Sequence, residues 1–252
     1  MTTELDLTRS DVPLLRLLTV ELRKSVDTLA GRWLLASIGI ITLLWDLFLL
    51  GRPQLLHTVT FFVAGPGFIQ TYLLGVLGVL LATSEWSQRT AMVTFSLVPR
   101  RWRTLLAKIL AAVALTAVVF AVSLAIAALL AVVTGPSDPW DLSLGEMGQS
   151  LLVSIINTLM GVGFGLLLLN APAAIVAFLL GPVVVSAITG IVDSLQDLVP
   201  WVNFGTAAAP LYDDVPGMLT GEQWGHLLTA TIVWFVIPFA IGIWRVLNAE
   251  VK

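Results

Sequence analysis

The sequence predicts an all-α, polytopic membrane protein with six transmembrane helices and an N-terminal amphipathic interfacial helix. Of its 252 residues, 58% are hydrophobic and only 12% are charged, which leaves too little charge to cover a soluble domain of this size. The apolar residues also fall in blocks of about 20 residues, the length that crosses the hydrocarbon core of a bilayer. We therefore expect residues 1–252 to form a single transmembrane domain. The chain has no Cys, so disulfide and thiolate chemistry are not expected.

Six apolar blocks are predicted to span the membrane, at residues 33–50, 61–83, 104–133, 150–169, 172–192 and 224–244. The third block is longer than a perpendicular span requires, so we expect it to tilt or to project into the cytoplasm. Asn170, Ala171 and Pro172 separate the fourth and fifth blocks and predict a tight turn, because proline suits the first turn of a new helix. Gly161 and Gly165 form a G-x-x-x-G pattern that permits close approach of two helices.

The distribution of Lys and Arg predicts that both termini lie in the cytoplasm. With the N-terminus inside, Arg52 is the only basic residue in an outer loop, in agreement with the excess of positive charge that cytoplasmic loops carry. The predicted outer loops are acidic instead and contain Asp138, Asp141, Glu146, Asp193, Asp197, Asp213, Asp214 and Glu222.

Residues 12–30 are predicted to form an amphipathic helix before the first span. Leucine and valine side chains share one helical face, while Arg16, Arg23 and Lys24 lie mostly on the opposite face. Pro13 suits the start of this helix. Two interpretations fit the pattern: a simple anchor along the cytoplasmic leaflet, or a connecting helix that also touches a cytoplasmic partner.

The predicted cytoplasmic loop at residues 84–103 joins the second and third spans. Its middle, residues 91–98, is too apolar for a free linker and predicts a short helix in the interface or against another protein. Glu85 can pair with the arginines of this loop or with a partner. Alternatively, the loop is a basic stop-transfer segment that contacts anionic lipid.

The loop resembles the signature of type-2 ABC exporter permeases, especially those of actinobacteria. In that family the second span ends in an acidic and an aromatic residue, followed by a threonine, a proline with arginines, and Ala-Lys entering the third span. The matching residues here are Glu85, Trp86, Thr90, Pro99, Arg100, Arg101, Ala107 and Lys108. Arg89 stands where the family usually has a glycine. The similarity covers the whole chain, including the N-terminal helix and the partly apolar outer segment.

The resemblance implies the permease subunit of an ATP-driven exporter, located in the cytoplasmic (inner) membrane of a bacterium. It implies a coupling helix in the loop that docks on a separate ATP-binding subunit, with coupling contacts from Glu85, Trp86, Arg89, Thr90, Phe95, Pro99, Arg100 and Arg101. The expected partners are two ABC ATP-binding subunits, a second or homologous permease, and membrane lipid, but no nucleic acid. Because the chain lacks a G-x-x-x-x-G-K-[ST] motif, ATP and Mg are expected on the partner subunit, and no cofactor, metal or catalytic residue is expected here.

Polar residues inside the spans are candidates for the translocation path, and we select Asp46, Gln70 and Asn157. An ionisable residue within a span is a functional candidate by default. Alternatively, the Asp46 carboxylate reaches the outer interface or meets Arg52. Neutral polar residues within spans more often hold helices together than bind a substrate.

Residues 193–223 form the longest predicted outer loop, and its middle, around Trp201, is apolar. A re-entrant pair of short helices, as in the family that the chain resembles, and an interfacial loop anchored by Trp201 both fit this composition.

Two other function classes compete with transport. An intramembrane enzyme is disfavoured because His57 and His226 both lie on the predicted outer side and no H-E-x-x-H motif occurs. A structural or regulatory membrane protein that transports nothing remains the alternative.

Overall fold

The computed structural model describes residues 12–52, 55, 57–136, 138–211 and 220–248. These residues form helices joined by short connections, and no strand occurs among them. Six helical segments in this part of the chain are long and apolar enough to cross a membrane. The predicted all-α class with six long apolar helices is therefore confirmed.

The helices follow one another with few intervening residues. Helix α1 (Leu14–Asp27) precedes the first long helix, α2 (Leu29–Leu50), and α3 (Val59–Ser87) is followed by the short helix α4 (Ala91–Leu97). The third, fourth and fifth long helices are α5 (Arg101–Thr134), α6 (Leu144–Leu168) and α7 (Ala171–Ile191). Short elements follow: the 3-10 helix Asp193–Leu198, α8 (Val199–Val202), α9 (Phe204–Ala208) and the 3-10 turn Ala209–Leu211. The sixth long segment joins α10 (Gly221–Thr231), a π-helical turn (Ile232–Val236) and α11 (Ile237–Asn248).

Helices α3 and α6 form the centre of the bundle. In their most apolar stretches 56% and 61% of the residues are buried, against 28% or less in the other four long helices. Their backbones pack closely at glycines: a Cβ atom on Gly161 would overlap the carbonyl oxygen of Gly75, and one on Gly165 would lie 2.6 Å from the Ala82 Cβ. The G-x-x-x-G pattern therefore lies where the backbones of α3 and α6 approach each other closely.

The turn between α6 and α7 is tight, and local signals account for it. Leu169 adopts a left-handed conformation with φ of 53°, which ends α6. The Asn170 side chain then accepts a hydrogen bond of 3.0 Å from the N–H of Ala173, which caps the start of α7. Because the connection is so short, α6 and α7 are antiparallel neighbours.

One end of the bundle, here called the basic end, gathers α1, α4, the start of α5 and the end of α11. An Arg101 guanidinium nitrogen donates to the carbonyl oxygen of Val246 over 2.8 Å, which joins the start of α5 to the end of α11. The opposite end, called the acidic end, carries Asp138 and Asp141 on the connection before α6 and Glu222 in the first turn of α10. Which end faces the cytoplasm stays a prediction. Asp213, Asp214 and both termini lie outside the described residues.

At the acidic end, the connection before α6 caps the start of α3. The N–H of Thr60 donates to the Asp141 carboxylate over 2.9 Å, and the N–H of Val59 donates to the Pro139 carbonyl over 3.1 Å. Partial burial by itself raises the pKa of Asp141, but hydrogen bonds from Thr58, just before α3, and from Thr60 lower it below its usual value overall. This carboxylate thus supplies the cap that α3 lacks within its own sequence.

The segment after α7 forms the short helical elements already named. Its Trp201 ring packs edge-on against His226 of α10, with 4.4 Å between ring centroids. Asn203 caps α9 by accepting a hydrogen bond from the N–H of Thr206. How deeply the segment enters a membrane stays a prediction, and residues 212–219 of the predicted outer loop lie outside the described residues.

Candidate functional site

The connection from α3 to α5 at the basic end combines most of the residues selected from the sequence. Helix α3 ends at Ser87, and the N–H of Thr90 then donates to the carbonyl oxygen of Glu85 over 2.8 Å. Arg89, between them, is left-handed with φ of 57°. This reversal of the chain brings α4 next to the end of α3. Pro99 and Arg100 then lead into α5.

A closed ring of four ion pairs lies where this connection meets α1. Lys24 contacts one oxygen each of Glu21 and Glu85, at 2.7 Å in both cases. Lys108 contacts the other oxygen of each carboxylate, at 2.8 Å in both cases. Each lysine therefore bridges both carboxylates, and the ring joins α1 to the end of α3 and the first turns of α5. We call Glu21, Lys24, Glu85 and Lys108 the ionic ring.

The ionic ring is almost completely shielded from solvent. The side chains of Glu21, Glu85 and Lys108 are at most 4% exposed, whereas Lys24 is 30% exposed. Lys108 also donates to the Leu81 carbonyl at 2.7 Å and to the Ser84 hydroxyl at 3.1 Å, which uses all the donors of its ammonium group. Three buried charges and the partly exposed Lys24 are thus held together with their hydrogen bonds made, which is the arrangement that makes burial of charge tolerable.

Electrostatics within the ring favour the charged form of Lys24. Burial by itself lowers the pKa of this lysine, but the carboxylates of Glu85 and Glu21 raise it, and the net result is a pKa above the usual lysine value. Lys24 therefore stays positive throughout the physiological range.

Helix α1 directs an unexpected face toward the bundle. Its fully buried residues are Glu21 and Ser25, while Leu15 and Val26 of the predicted apolar face are exposed. Helix α1 packs along α5 and α2, and Glu21 enters that contact because Lys108 and Lys24 are there to receive it. A helix at these residues is thus present, whereas its position along a lipid leaflet stays a prediction.

Helix α4 has an inner and an outer side. Phe95 points inward, with its ring 6.3 Å from the Trp86 ring and with the Arg101 guanidinium carbon 4.8 Å above it. Met92, Val93 and Leu97 are each more than half exposed. These three side chains, which we call the outer face of α4, form an apolar surface at the basic end.

The sequence-selected residues of the loop thus separate by exposure. Glu85 is buried in the ionic ring, and Trp86 and Phe95 are half-buried against one another. Arg89, Thr90, Pro99 and Arg100 are exposed, and Arg101 reaches the end of α11. The ion pairs of Glu85 described above are with Lys24 and Lys108, lysines of two other helices.

Of the four ring members, only Glu85 belongs to the coupling residues that the sequence predicts. Glu21 is a single acidic residue in a basic helix, and Lys24 lies on the face opposite the predicted apolar face, so neither carries a distinctive sequence signal. Lys108 did offer a signal, because it enters an apolar span directly after Ala107 and a charge there needs a partner. The identity of that partner depends on the packing of α1, which the sequence pattern does not specify.

The three span residues lie away from this site. Gln70 of α3 donates from its side-chain nitrogen to the Thr42 hydroxyl of α2 over 2.6 Å, and Thr42 lies one helical turn from Asp46. Asn157 of α6 contacts the Val153 carbonyl of its own helix at 3.4 Å. The structure therefore places Gln70 beside Thr42, on the helix face that also carries Asp46.

Within the described ranges, no three His, Asp or Glu side chains group as ligands for a metal ion. The two carboxylates of the ionic ring are occupied by lysine ammonium groups.

Comparison with known proteins does not extend these observations. No family model matches the chain, and neither a curated protein nor a solved structure shows significant similarity to it.

Proposed function

We propose that this chain is the membrane-spanning permease subunit of an ATP-driven exporter of the type-2 ABC class. The observation that carries the proposal is α4, a short helix held between the second and third long helices with an apolar face turned outward at the basic end. Such a face fits a contact with a separate ATP-binding subunit. The six long apolar helices supply the membrane part that forms the translocation path.

The packing of α4 supports a coupling role. Phe95 and Trp86 hold the inner side of α4 against the end of α3, and Arg101 connects Phe95 to α5 and α11. A force on the outer face of α4 therefore acts on both spans at once. The ionic ring extends the connection to α1, because Glu85 contacts Lys24 and Lys108 contacts Glu21.

The backbone at Arg89 also supports the family assignment. Type-2 permeases usually have a glycine at this point of the loop, and Arg89 adopts a left-handed conformation with φ of 57°. Glycine adopts this conformation without steric cost, whereas other residues adopt it infrequently. The chain therefore retains the turn that a glycine would favour although the glycine itself is replaced.

The remaining parts of the proposal concern assembly and location. We place the chain in the inner membrane of a bacterium, with both termini and the basic end in the cytoplasm, where most Lys and Arg residues would lie. Two ATP-binding subunits, with ATP and Mg, and a second or homologous permease complete the assembly. Phe95 faces inward, so the docking surface consists of Met92, Val93 and Leu97.

Co-purification from native membranes, with mass identification of the proteins that travel with the chain, tests this proposal. An ABC ATP-binding subunit should accompany the parent chain and be lost from Val93→Asp, because a charge would enter a dry contact. Gln88→Asp is the matched control, since it adds the same charge to an exposed position of the same connection outside α4.

Two results would contradict the proposal. If no ATP-binding subunit accompanies the parent chain, a structural or regulatory membrane protein becomes the better interpretation. If Val93→Asp retains the subunit as well as Gln88→Asp does, the outer face of α4 is not the docking surface and contacts lipid instead.

A further inference from the structure

The side chain of Asp46 is buried in the helix bundle, and its carboxyl group has no ion-pair partner among the described residues. It lies on the face of α2 that also carries Ile38, Thr42 and Leu49, and it is only 3% exposed. Its Oδ1 atom makes no hydrogen bond to any residue in the described part of the chain. Asp46 thus differs from every member of the ionic ring, each of which has two charged partners.

No described cation neutralises Asp46. Arg52, the sequence-predicted alternative partner, instead places its guanidinium carbon 4.8 Å above the Phe48 ring. His57 directs its Nε2 atom to the carbonyl oxygen of Leu49 at 3.0 Å, and Asp141 caps α3. Most other titratable groups on the helices packed against α2 lie toward the basic end: Arg16, Glu21, Arg23, Lys24, Asp27, Glu85, Arg101, Arg103 and Lys108. The remaining one, Tyr72, lies beside Phe68.

A chain of neutral polar groups begins one helical turn from Asp46. The Gln70 side-chain nitrogen donates to the Thr42 hydroxyl over 2.6 Å, and the Ser123 hydroxyl donates to the Gln70 oxygen over 3.2 Å. These bonds link α2, α3 and α5 one helical turn from Asp46 but supply no positive charge. An ionised carboxylate enclosed in this way would lose its hydration without a compensating partner, which is far more costly than burying a neutral acid.

We propose that Asp46 is a proton-binding site within the membrane. It holds its proton while α2 packs against α3 and α5, and it exchanges that proton with water when these helices separate. The ligand is a single proton, because the enclosed carboxyl group leaves no exposed approach for a larger cation. The inference does not depend on the proposed export function, since it concerns only the chain itself.

Infrared spectroscopy of the full-length purified chain tests the protonation directly. At pH 7 the parent should show the carbonyl stretching band of a neutral carboxylic acid, and Asp46→Asn should lose it. Asp138→Asn, which changes an exposed aspartate at the acidic end, should keep the band. A parent without this band, or an Asp46→Asn variant that retains it, would overturn the proposal.

Thermal unfolding as a function of pH provides a second and independent measurement. Above about pH 4 an exposed aspartate ionises, so the folded parent would hold one more proton than the unfolded chain. Stability must then fall as pH rises, and this part of the decline should be absent in Asp46→Asn and present in Asp138→Asn. An Asp46→Asn variant that folds and shows the same pH dependence as the parent would also overturn the proposal.

Discussion

The ionic ring and Asp46 show two different ways in which a protein accommodates buried ionisable groups. At the basic end, two lysines and two carboxylates from three helices neutralise one another within 2.8 Å. Toward the acidic end, the Asp46 carboxyl group is similarly buried, but its Oδ1 atom has no hydrogen-bond partner in the described part of the chain. A buried charge is tolerated when it is paired, and an unpaired acid is tolerated when it is neutral. The first arrangement fixes helices in place, whereas the second leaves a group whose charge depends on whether the helices stay packed.

The ring specifies helix position more than it adds stability. Removing charges from water costs nearly as much as their mutual attraction returns, so a complete buried network contributes little net free energy. Removing one member is costly, because the remaining charges stay buried without compensation. This asymmetry makes the ring suitable for holding α1 in register with α3 and α5.

The largest expected effect concerns which end of the bundle, basic or acidic, faces the cytoplasm. Single cysteines in this cysteine-free chain report sidedness without background labelling. In intact cells an impermeant thiol reagent should label Asp138→Cys and leave Ser87→Cys unlabelled, although both positions are exposed. Labelling of Ser87→Cys from outside would place the ionic ring at the outer surface and would invalidate the coupling role.

The second test removes one charge from the ring. Lys108→Met keeps the length of the side chain but leaves Glu21 and Glu85 buried with only Lys24 between them. We expect a loss of about 3–5 kcal/mol in the free energy of unfolding, measured by thermal or denaturant unfolding of the purified chain. Equal stability of Lys108→Met and the parent would show that the ring is not formed.

The third test uses pH to weaken one member of the ring. Because the folded-state pKa of Lys24 lies above its usual value, its contribution is fully present below about pH 10.4 and is lost as pH rises through the folded-state pKa. Lys24 is 30% exposed, so we expect a loss of about 1.5 kcal/mol, near the lower limit for charged hydrogen bonds. The unfolding midpoint should fall with rising alkaline pH, and this component should be missing in Lys24→Met. A parent and a variant with superimposable alkaline profiles would contradict the prediction.

The smallest expected effect is at the turn that connects the ring to α4. Arg89→Gly should stabilise the chain by about 0.5–1 kcal/mol, since glycine relieves the left-handed conformation but loses more entropy on folding. Gln88→Gly is the matched control, because Gln88 has an ordinary φ of −94° and should only lose stability. The free energy of unfolding is measured for both variants. If Arg89→Gly loses as much stability as Gln88→Gly, the left-handed backbone at Arg89 does not favour glycine and no longer supports the family resemblance.

The sequence by itself determined the helical class and the six long apolar helices, because composition and block length suffice when the solvent is a bilayer. It also determined the tight turn at Asn170, since a capping side chain and a following proline act locally. The short helix α4 follows in the same way from an apolar stretch between two polar ones.

Only the tertiary structure decided the pairing of charges. Glu21 and Lys108 are 87 residues apart, and their contact exists because α1 packs on α5, which no local pattern specifies. The inward direction of Phe95 depends in the same way on Trp86 and Arg101. Asp46 has a clear sequence signal as a charge within a span, but its lack of a partner is a property of the whole bundle. Local propensity and hydropathy act over one helix, whereas the state of a buried charge is set by every helix around it.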